Sequence, residues 1–132
     1  MCFLLRDLSQ RPLASRSKFL ATADEPISVP PELQEMGLKV RGMLRESLNA
    51  VVHLDTHLAR RVLQEDDEID ERHRELYTLL RQRMEENPHR IEMEMNLLSV
   101  SRYLERIADL ATNIAEDVVF MVDGDVVRHQ SW

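Results

Sequence analysis

The stretch Ser101–Glu116, SRYLERIADLATNIAE, has the pattern of a two-sided helix, and it decides the fold class. Apolar residues recur every three or four positions, which is the spacing of a helix that packs against a core. At about 100° per residue, the oxygen-bearing side chains of the other side fall within an arc of about 80°. The apolar stripe comprises Tyr103, Leu104, Ile107, Ala111, Ile114 and Val118, and the polar row comprises Glu105, Asp109, Asn113 and Glu116.

The composition of the whole chain agrees with this helical pattern. The 132 residues give room for one domain, and the 43% hydrophobic and 31% charged residues suit a globular chain with a core. Only 3 glycines and 2 tyrosines favour helices over a sheet. A net charge of −7 argues against a nucleic-acid binder and against direct attraction to an anionic membrane. The single cysteine excludes an intrachain disulfide, and we expect a cytoplasmic protein.

The chain divides near residue 30 into an N-terminal extension with a linker (residues 1–30) and a helical domain (residues 31–132). Prolines at 26, 30 and 31 mark the linker, because a proline disfavours helix in the residue before it. Pro31 itself suits the first turn of a helix. The spacing of apolar residues predicts a first helix that runs from Pro31 to about Leu63.

Two further helices complete the predicted domain. The acidic run at 65–68 suits a helix N-terminus, so we expect a turn near 64–67 and a second helix from about Asp66 to Glu86. Asn87-Pro88 then predicts a break. A third helix is expected from about His89 to Val122, with Gly124 as its C-terminal cap. The predicted fold is all-α, an antiparallel three-helix bundle.

Acidic pairs are the strongest candidates for a functional site. Asp66 and Asp70, and likewise Glu105 and Asp109, lie one helical turn apart, so the two carboxylates of each pair face the same way and could share a cation. Hard cations such as Mg²⁺, Mn²⁺, Ca²⁺ or iron prefer such oxygen ligands. We therefore predict that the two pairs meet across the second and third helices and bind a divalent or ferric ion. The candidate ligands are Asp66, Asp70, Glu105, Asp109, Asn113 and Glu116.

Alternatives to a metal site remain open from the sequence alone. Arg102 and Arg106 lie among these acids, so an ordinary salt-bridged surface would have the same pattern. Asp70 and His73 form an acid-x-x-His step of the kind found in di-iron proteins, but such sites need two of these motifs. His73 lies at the edge of the apolar stripe, where a hydrogen-bonded boundary histidine is expected more often than a ligand.

No recognised catalytic motif occurs in the sequence. It contains no GxSxG, GxxxxGK[ST], HExxH or CxxC, and no serine or cysteine has an evident base beside it. We therefore expect a protein that is not an enzyme, with no catalytic residues.

Three segments resemble the PhoU family of phosphate-signalling regulators, and specifically its second repeat. They are PISVPPELQEMGLKVRGMLRESLNAVVHLD (26–55), DDEIDERHRELY (66–77) and NPHRIEMEMNLLSVSRYLERIADLATNIAEDVVFMVDGDVVRH (87–129). The block ERIADLATNIAE and the closing VDGDVVRH are the most specific parts. The resemblance covers about residues 26–129.

This resemblance implies a function. PhoU-like proteins are cytoplasmic, all-helical regulators that couple a phosphate ABC transporter to a sensor histidine kinase and repress the phosphate-starvation response when phosphate is abundant. Their acidic E/D-xxx-D patterns, implicated in binding metal clusters, fall here on Asp66–Asp70 and Glu105–Asp109, with Asn113 and Glu116 following. The alternatives are a carboxylate-rich metal protein with oxidase-like chemistry and a structural oligomerisation module.

The resemblance covers one repeat of a family that has two. Residues 12–22 are similar to the end of the first repeat's last helix, so we expect a truncated product or a single-repeat homologue. The third helix is unusually apolar in its N-terminal half, from Ile91 to Val100, and such a surface would need cover. We therefore predict a two-fold homodimer.

Overall fold

Three long helices make up the part of the chain that the computed structural model describes, residues 28–124. They are α1 (Pro31–His53), α2 (Thr56–Glu86) and α3 (Ile91–Asp123), and a short 3₁₀ helix (Pro88–Arg90) precedes α3. Within residues 28–124 there is no strand. The predicted all-α three-helix bundle is confirmed. The proposed N-terminal extension, up to residue 27, and residues 125–132 lie outside the described residues.

Ion pairs and hydrogen bonds between the helices fix their directions. Arg72 of α2 reaches Glu35 near the start of α1, and Arg61 reaches Glu46 further along it, so α1 and α2 are antiparallel. The hydroxyl of Ser101 in α3 lies 3.7 Å from the sulfur of Met36. In α2, Arg60 pairs with Asp123 at the end of α3 and Arg83 pairs with Glu94 near its start, so α2 and α3 are also antiparallel. Because α2 is antiparallel to both neighbours, α1 and α3 run in the same direction.

Small side chains on α3 let the bundle close tightly. Ala108, Ala111 and Ala115 are completely buried, and the larger side chains of the other helices fill the space against them. Such interdigitation of small and large residues is how helix bundles reach the density of a protein interior. The largest buried apolar side chains of α1 and α2 are Met36, Met43, Ile69, Leu76 and Leu80.

The first turn lies ten residues before its predicted place. α1 ends at His53, Leu54 adopts a left-handed conformation with φ 49°, and α2 begins at Thr56. The Asp55 carboxylate caps α2 by accepting a hydrogen bond from the Leu58 amide at 3.0 Å. The prediction of one helix to about Leu63 with a turn near 64–67 is therefore wrong. The spacing of apolar residues continues through the two-residue turn, because the apolar sides of α1 and α2 face the same core. This spacing therefore gives no sign of the turn.

The other helix ends agree with the sequence. Pro31 opens α1, and the chain breaks at Asn87-Pro88. Gly124 caps α3 with φ 70°, and its amide donates to the Phe120 carbonyl at 2.9 Å. Glycine adopts this left-handed conformation without the steric cost of a side chain, which is why it is common at this position.

The N-terminal half of α3 is less exposed than its composition indicated. Met93 and Leu97 are buried in the core, whereas Ile91, Met95 and Val100 remain exposed. Some of the apolar residues in this half of α3 therefore pack inside the bundle and are not available for a contact with another molecule.

A buried ion pair fastens the start of the described chain to the bundle. Arg83 lies 3.0 Å from the Glu94 carboxylate, which is only 1% exposed. The same guanidinium donates to the Ser28 carbonyl at 3.0 Å. One side chain thus joins α2, α3 and the segment before α1.

Removing the arginine of this pair should strongly destabilise the protein. In Arg83→Met the Glu94 carboxylate stays buried without its counter-charge, and we expect a loss of about 3–5 kcal/mol in the free energy of unfolding, measured with urea. The double variant Arg83→Met/Glu94→Leu should recover most of the lost stability, because it leaves no unpaired buried charge. Arg81→Met is the matched control, because the Arg81–Glu85 pair is exposed and should contribute only about 0.5 kcal/mol or less. Equal losses in the two single variants would contradict this account.

Candidate functional site

The groove between α2 and α3 brings the two predicted acidic pairs to the same side of the bundle. We call Asp66 and Asp70 of α2, with Glu105 and Asp109 of α3, the acidic cluster. Burial, followed by the negative charges of Asp70 and Asp109, raises the pKa of Asp66 from 3.8 to about 6, and Asp67 and Glu105 add to this effect. Burial and the charge of Asp70 also raise the pKa of Asp109. The carboxylates are therefore close enough to repel one another.

The arginines on α3 do not neutralise this cluster. In residues 28–124, no ion pair joins Arg102 or Arg106 to Glu105 or Asp109. Arg106 instead lies over the ring of Tyr103, 5.8 Å from its centroid, which is a cation–π contact. The salt-bridged surface that the sequence left open is not formed at these positions.

The donor set fits a hard cation. The Oδ1 atom of Asp66 is buried and lacks a hydrogen-bond partner, a costly state for a carboxylate oxygen. A cation beside it would satisfy this oxygen and remove the repulsion among the four acids. The side chains are not preassembled for this: in the described part of the chain, no three His, Cys, Asp or Glu residues form a group with metal-binding geometry.

The remaining two predicted ligands lie further along α3. Asn113 is exposed and Glu116 is half-buried, one and about two turns beyond Asp109. They extend the polar row toward the C-terminal end of the helix and lie outside the acidic cluster. Metal binding by all six residues stays a prediction.

His73 borders the acidic cluster, with a hydrogen bond to Ser101 on one side and an ion-pair contact with Glu105 on the other. Its Nδ1 atom lies 2.6 Å from the hydroxyl oxygen of Ser101, and its Nε2 atom lies 3.5 Å from the Glu105 carboxylate. The prediction of a hydrogen-bonded boundary histidine is confirmed. His73 also fixes Glu105 relative to α2, so it positions one member of the acidic cluster.

The statement that no serine has a base beside it is wrong, because Ser101 is hydrogen-bonded to His73, whose other ring nitrogen faces Glu105 to complete a series of three residues. The order resembles a Ser-His-Glu catalytic triad. However, Ser101 is fully buried, and its hydroxyl lies against Met36, so no substrate reaches the oxygen. The series is a structural link between α2 and α3. Sequence reasoning missed it because the serine and histidine are 28 residues apart.

None of the helices within residues 28–124 combines the length and the apolar character that crossing a membrane requires.

Known proteins with similar sequences point to one family. The model of the PhoU domain matches residues 33–118. A phosphate-specific transport system accessory protein PhoU homolog from Pseudomonas aeruginosa is 41% identical over 101 residues, which are 74% of this chain and 40% of that protein. Proteins of the same name from Caulobacter vibrioides and Aquifex aeolicus are 33% and 34% identical over 118 residues, covering 89% of this chain and 51% and 53% of theirs. The chain spans about half the length of these relatives.

The raised pKa of Asp66 predicts that the metal-free protein becomes more stable as the pH falls from about 7 to about 4. The folded state holds the proton with a pKa of about 6, above the unfolded value of 3.8, so folding is accompanied by proton uptake in this range. Allowing for solvent screening, we expect about 1 kcal/mol, or a Tm rise of about 3 °C. Thermal melts in EDTA at each pH, monitored by circular dichroism, measure this change in Tm.

The Asp66→Asn variant isolates this contribution. It should raise Tm at pH 7 and have a weaker pH dependence than the wild type, because the amide carries no charge at any pH. Glu71→Gln, an exposed change on the same helix, is the control and should leave the pH dependence unchanged. Parallel pH curves for Asp66→Asn and the wild type would show that Asp66 titrates normally.

Proposed function

Because the chain belongs to the PhoU domain family, we propose that it is a non-enzymatic accessory protein that regulates phosphate transport. The single observation that carries this proposal is the domain match over residues 33–118. The names of its relatives, accessory proteins of the phosphate-specific transport system, support it. The burial of Ser101 is in keeping with a role that involves no catalysis at this site.

The proposal extends to signalling and to partners. We infer that the protein contacts subunits of a phosphate ABC transporter and a sensor histidine kinase, and that it represses the phosphate-starvation response when phosphate is abundant. Its place would be the cytoplasm, with any membrane association indirect, because a net charge of −7 disfavours contact with anionic lipid. These inferences rest on the family.

A metal ion at the acidic cluster is part of the same proposal. The mutual repulsion of the four carboxylates and the unpartnered Asp66 oxygen support a divalent or ferric ion at this place. A bound cation would supply positive charge that ties α2 to α3. In such a site, Asp66 and Asp70 would hold the ion from one helix, and Glu105 and Asp109 from the other.

The two alternative functions have less support. Oxidase-like chemistry would use His73 as a ligand, but both of its ring nitrogens already face protein partners. A structural oligomerisation module would not require an acidic cluster whose charges destabilise the fold. Self-association is nevertheless compatible with the regulatory function, and we retain the homodimer as a proposal.

Loss of the α3 carboxylates should abolish metal binding without unfolding the protein. The double variant Glu105→Ala/Asp109→Ala removes two of the four proposed ligands, and its circular dichroism should stay helical. The metal content of untagged protein, measured by mass spectrometry after dialysis against Mn²⁺ or Fe³⁺, should fall to background. Glu92→Ala/Asp117→Ala makes the same charge change at exposed positions of α3 and should keep the metal. Full metal content in the first variant would show that the acidic cluster is not the site.

Deletion of the gene should derepress phosphate-scavenging genes in abundant phosphate. The expected result is a rise of at least about tenfold in a promoter reporter, provided that the strain has no full-length paralogue. The plasmid-borne chain should restore repression. An unchanged reporter in a strain without a paralogue would remove the regulatory proposal, whatever the metal measurements give.

A further inference from the structure

The groove between α1 and α3 differs in chemistry from the other two grooves of the bundle. Ion pairs cross the α1/α2 groove at Glu35–Arg72, Lys39–Glu68 and Glu46–Arg61. The α2/α3 groove carries the acidic cluster. The α1/α3 groove has an apolar surface along most of its length, and no other helix of the described chain lies over it.

The register of the two parallel helices identifies the residues along this groove. Met36 lies beside Ser101, and a side chain added at Gly37 would place its Cβ 3.9 Å from Leu104. Positions on the α3 side of α1 and on the α1 side of α3 then follow from about 100° per residue. We call the following six residues the apolar groove: Leu48, Val51, Val100, Ile107, Ile114 and Met121.

Four of the six side chains are exposed, whereas Ile107 and Ile114 are half-buried and Ile107 also packs against the core. Leu48, Val51 and Val100 are 40–42% exposed, and Met121 is 59% exposed. The stretch from Val100 to Met121 is about 32 Å long, and two helices are about 20 Å wide. The footprint of the two helices over this length is therefore roughly 600 Å², which is at the upper end of the range for the largest apolar patch of a monomer and below the ~800 Å² that each partner buries in a standard interface.

Charge decides which occupant this surface fits. A chain with a net charge of −7 repels its own copies unless they meet through a face without carboxylates. None of the six groove residues is charged, and the rims carry both signs, with Arg41 on α1 and Asp117 on α3. In a two-fold dimer the same patch lies on both sides, so an uncharged centre with mixed rims is complementary to itself.

We propose that a second copy of this chain docks on the apolar groove, so that the α1/α3 faces of two bundles pack together around a two-fold axis. The inference rests on the homodimer proposed above and names its surface. It places the contact along the whole α1/α3 face, whereas the sequence indicated only the N-terminal half of α3. The acidic cluster stays on the outer side of each bundle, accessible to a cation.

A charge introduced into the groove tests this surface. Sedimentation equilibrium of the full chain at micromolar concentration should give twice the 15.5 kDa chain mass. Leu48→Arg should raise the dimer Kd at least about tenfold, because it buries an unpaired cation. Leu38→Arg is the matched control: it lies on the same helix, is 66% exposed and faces away from the groove, so it should change Kd less than about twofold.

The rate of thiol labelling reports whether the apolar groove is covered, without a change in its charge. In a Cys2→Ser background, Leu48→Cys should react with a maleimide more slowly as the protein concentration rises, and Leu38→Cys should react at a constant rate. If Leu48→Arg leaves the dimer intact and the labelling rate at position 48 does not change with concentration, the apolar groove is not the interface, although the protein is still a homodimer. A monodisperse wild-type monomer would overturn both. Neither outcome affects phosphate regulation, which the reporter strain measures separately.

Discussion

Close packing at the buried side of α3 is the constraint on which the rest of this structure depends. Ala108, Ala111 and Ala115 have no side chain beyond Cβ, so the axes of α1 and α2 come near to that of α3. Larger residues at these positions would force the helices apart and disturb the packing of the core. The tight approach also determines which surface residues meet across the grooves.

The acidic cluster is a consequence of this packing rather than a cause of it. Apolar burial holds Asp66 and Asp109 at a separation that their charges oppose, and the raised pKa of each reflects that opposition. The hydrogen bond between His73 and Ser101 and the ion-pair contact between His73 and Glu105 join the two helices at the same level. A rigid scaffold that holds like charges together responds strongly to anything positive that enters between them.

Much of the fold could be predicted from the sequence, and the failures have physical reasons. Pro31 and Gly124 mark helix ends because their backbone preferences are local. The Leu54-Asp55 turn was missed, because leucine rarely adopts a positive φ and the capping aspartate lies within an unbroken apolar pattern. The acidic pairs were found because one helical turn separates their members. The Ser101–His73 contact was missed because it depends on how two helices are packed, and no spacing along one helix encodes it.

Because the bundle has an odd number of antiparallel helices, the chain enters it at one end and leaves it at the other, which limits how a second domain can be joined to it. The chain enters where Arg83 holds Ser28, and it leaves α3 beyond Gly124 at the opposite end, about 50 Å away for a helix of 33 residues. Two such bundles in one polypeptide could lie side by side, pointing the same way, only if a connection of at least about 15 extended residues returned along the full length. A shorter connection would stack them end to end or reverse the second one. A fluorescent donor at residue 28 and an acceptor at residue 124 would likewise be held about 50 Å apart by the length of α3.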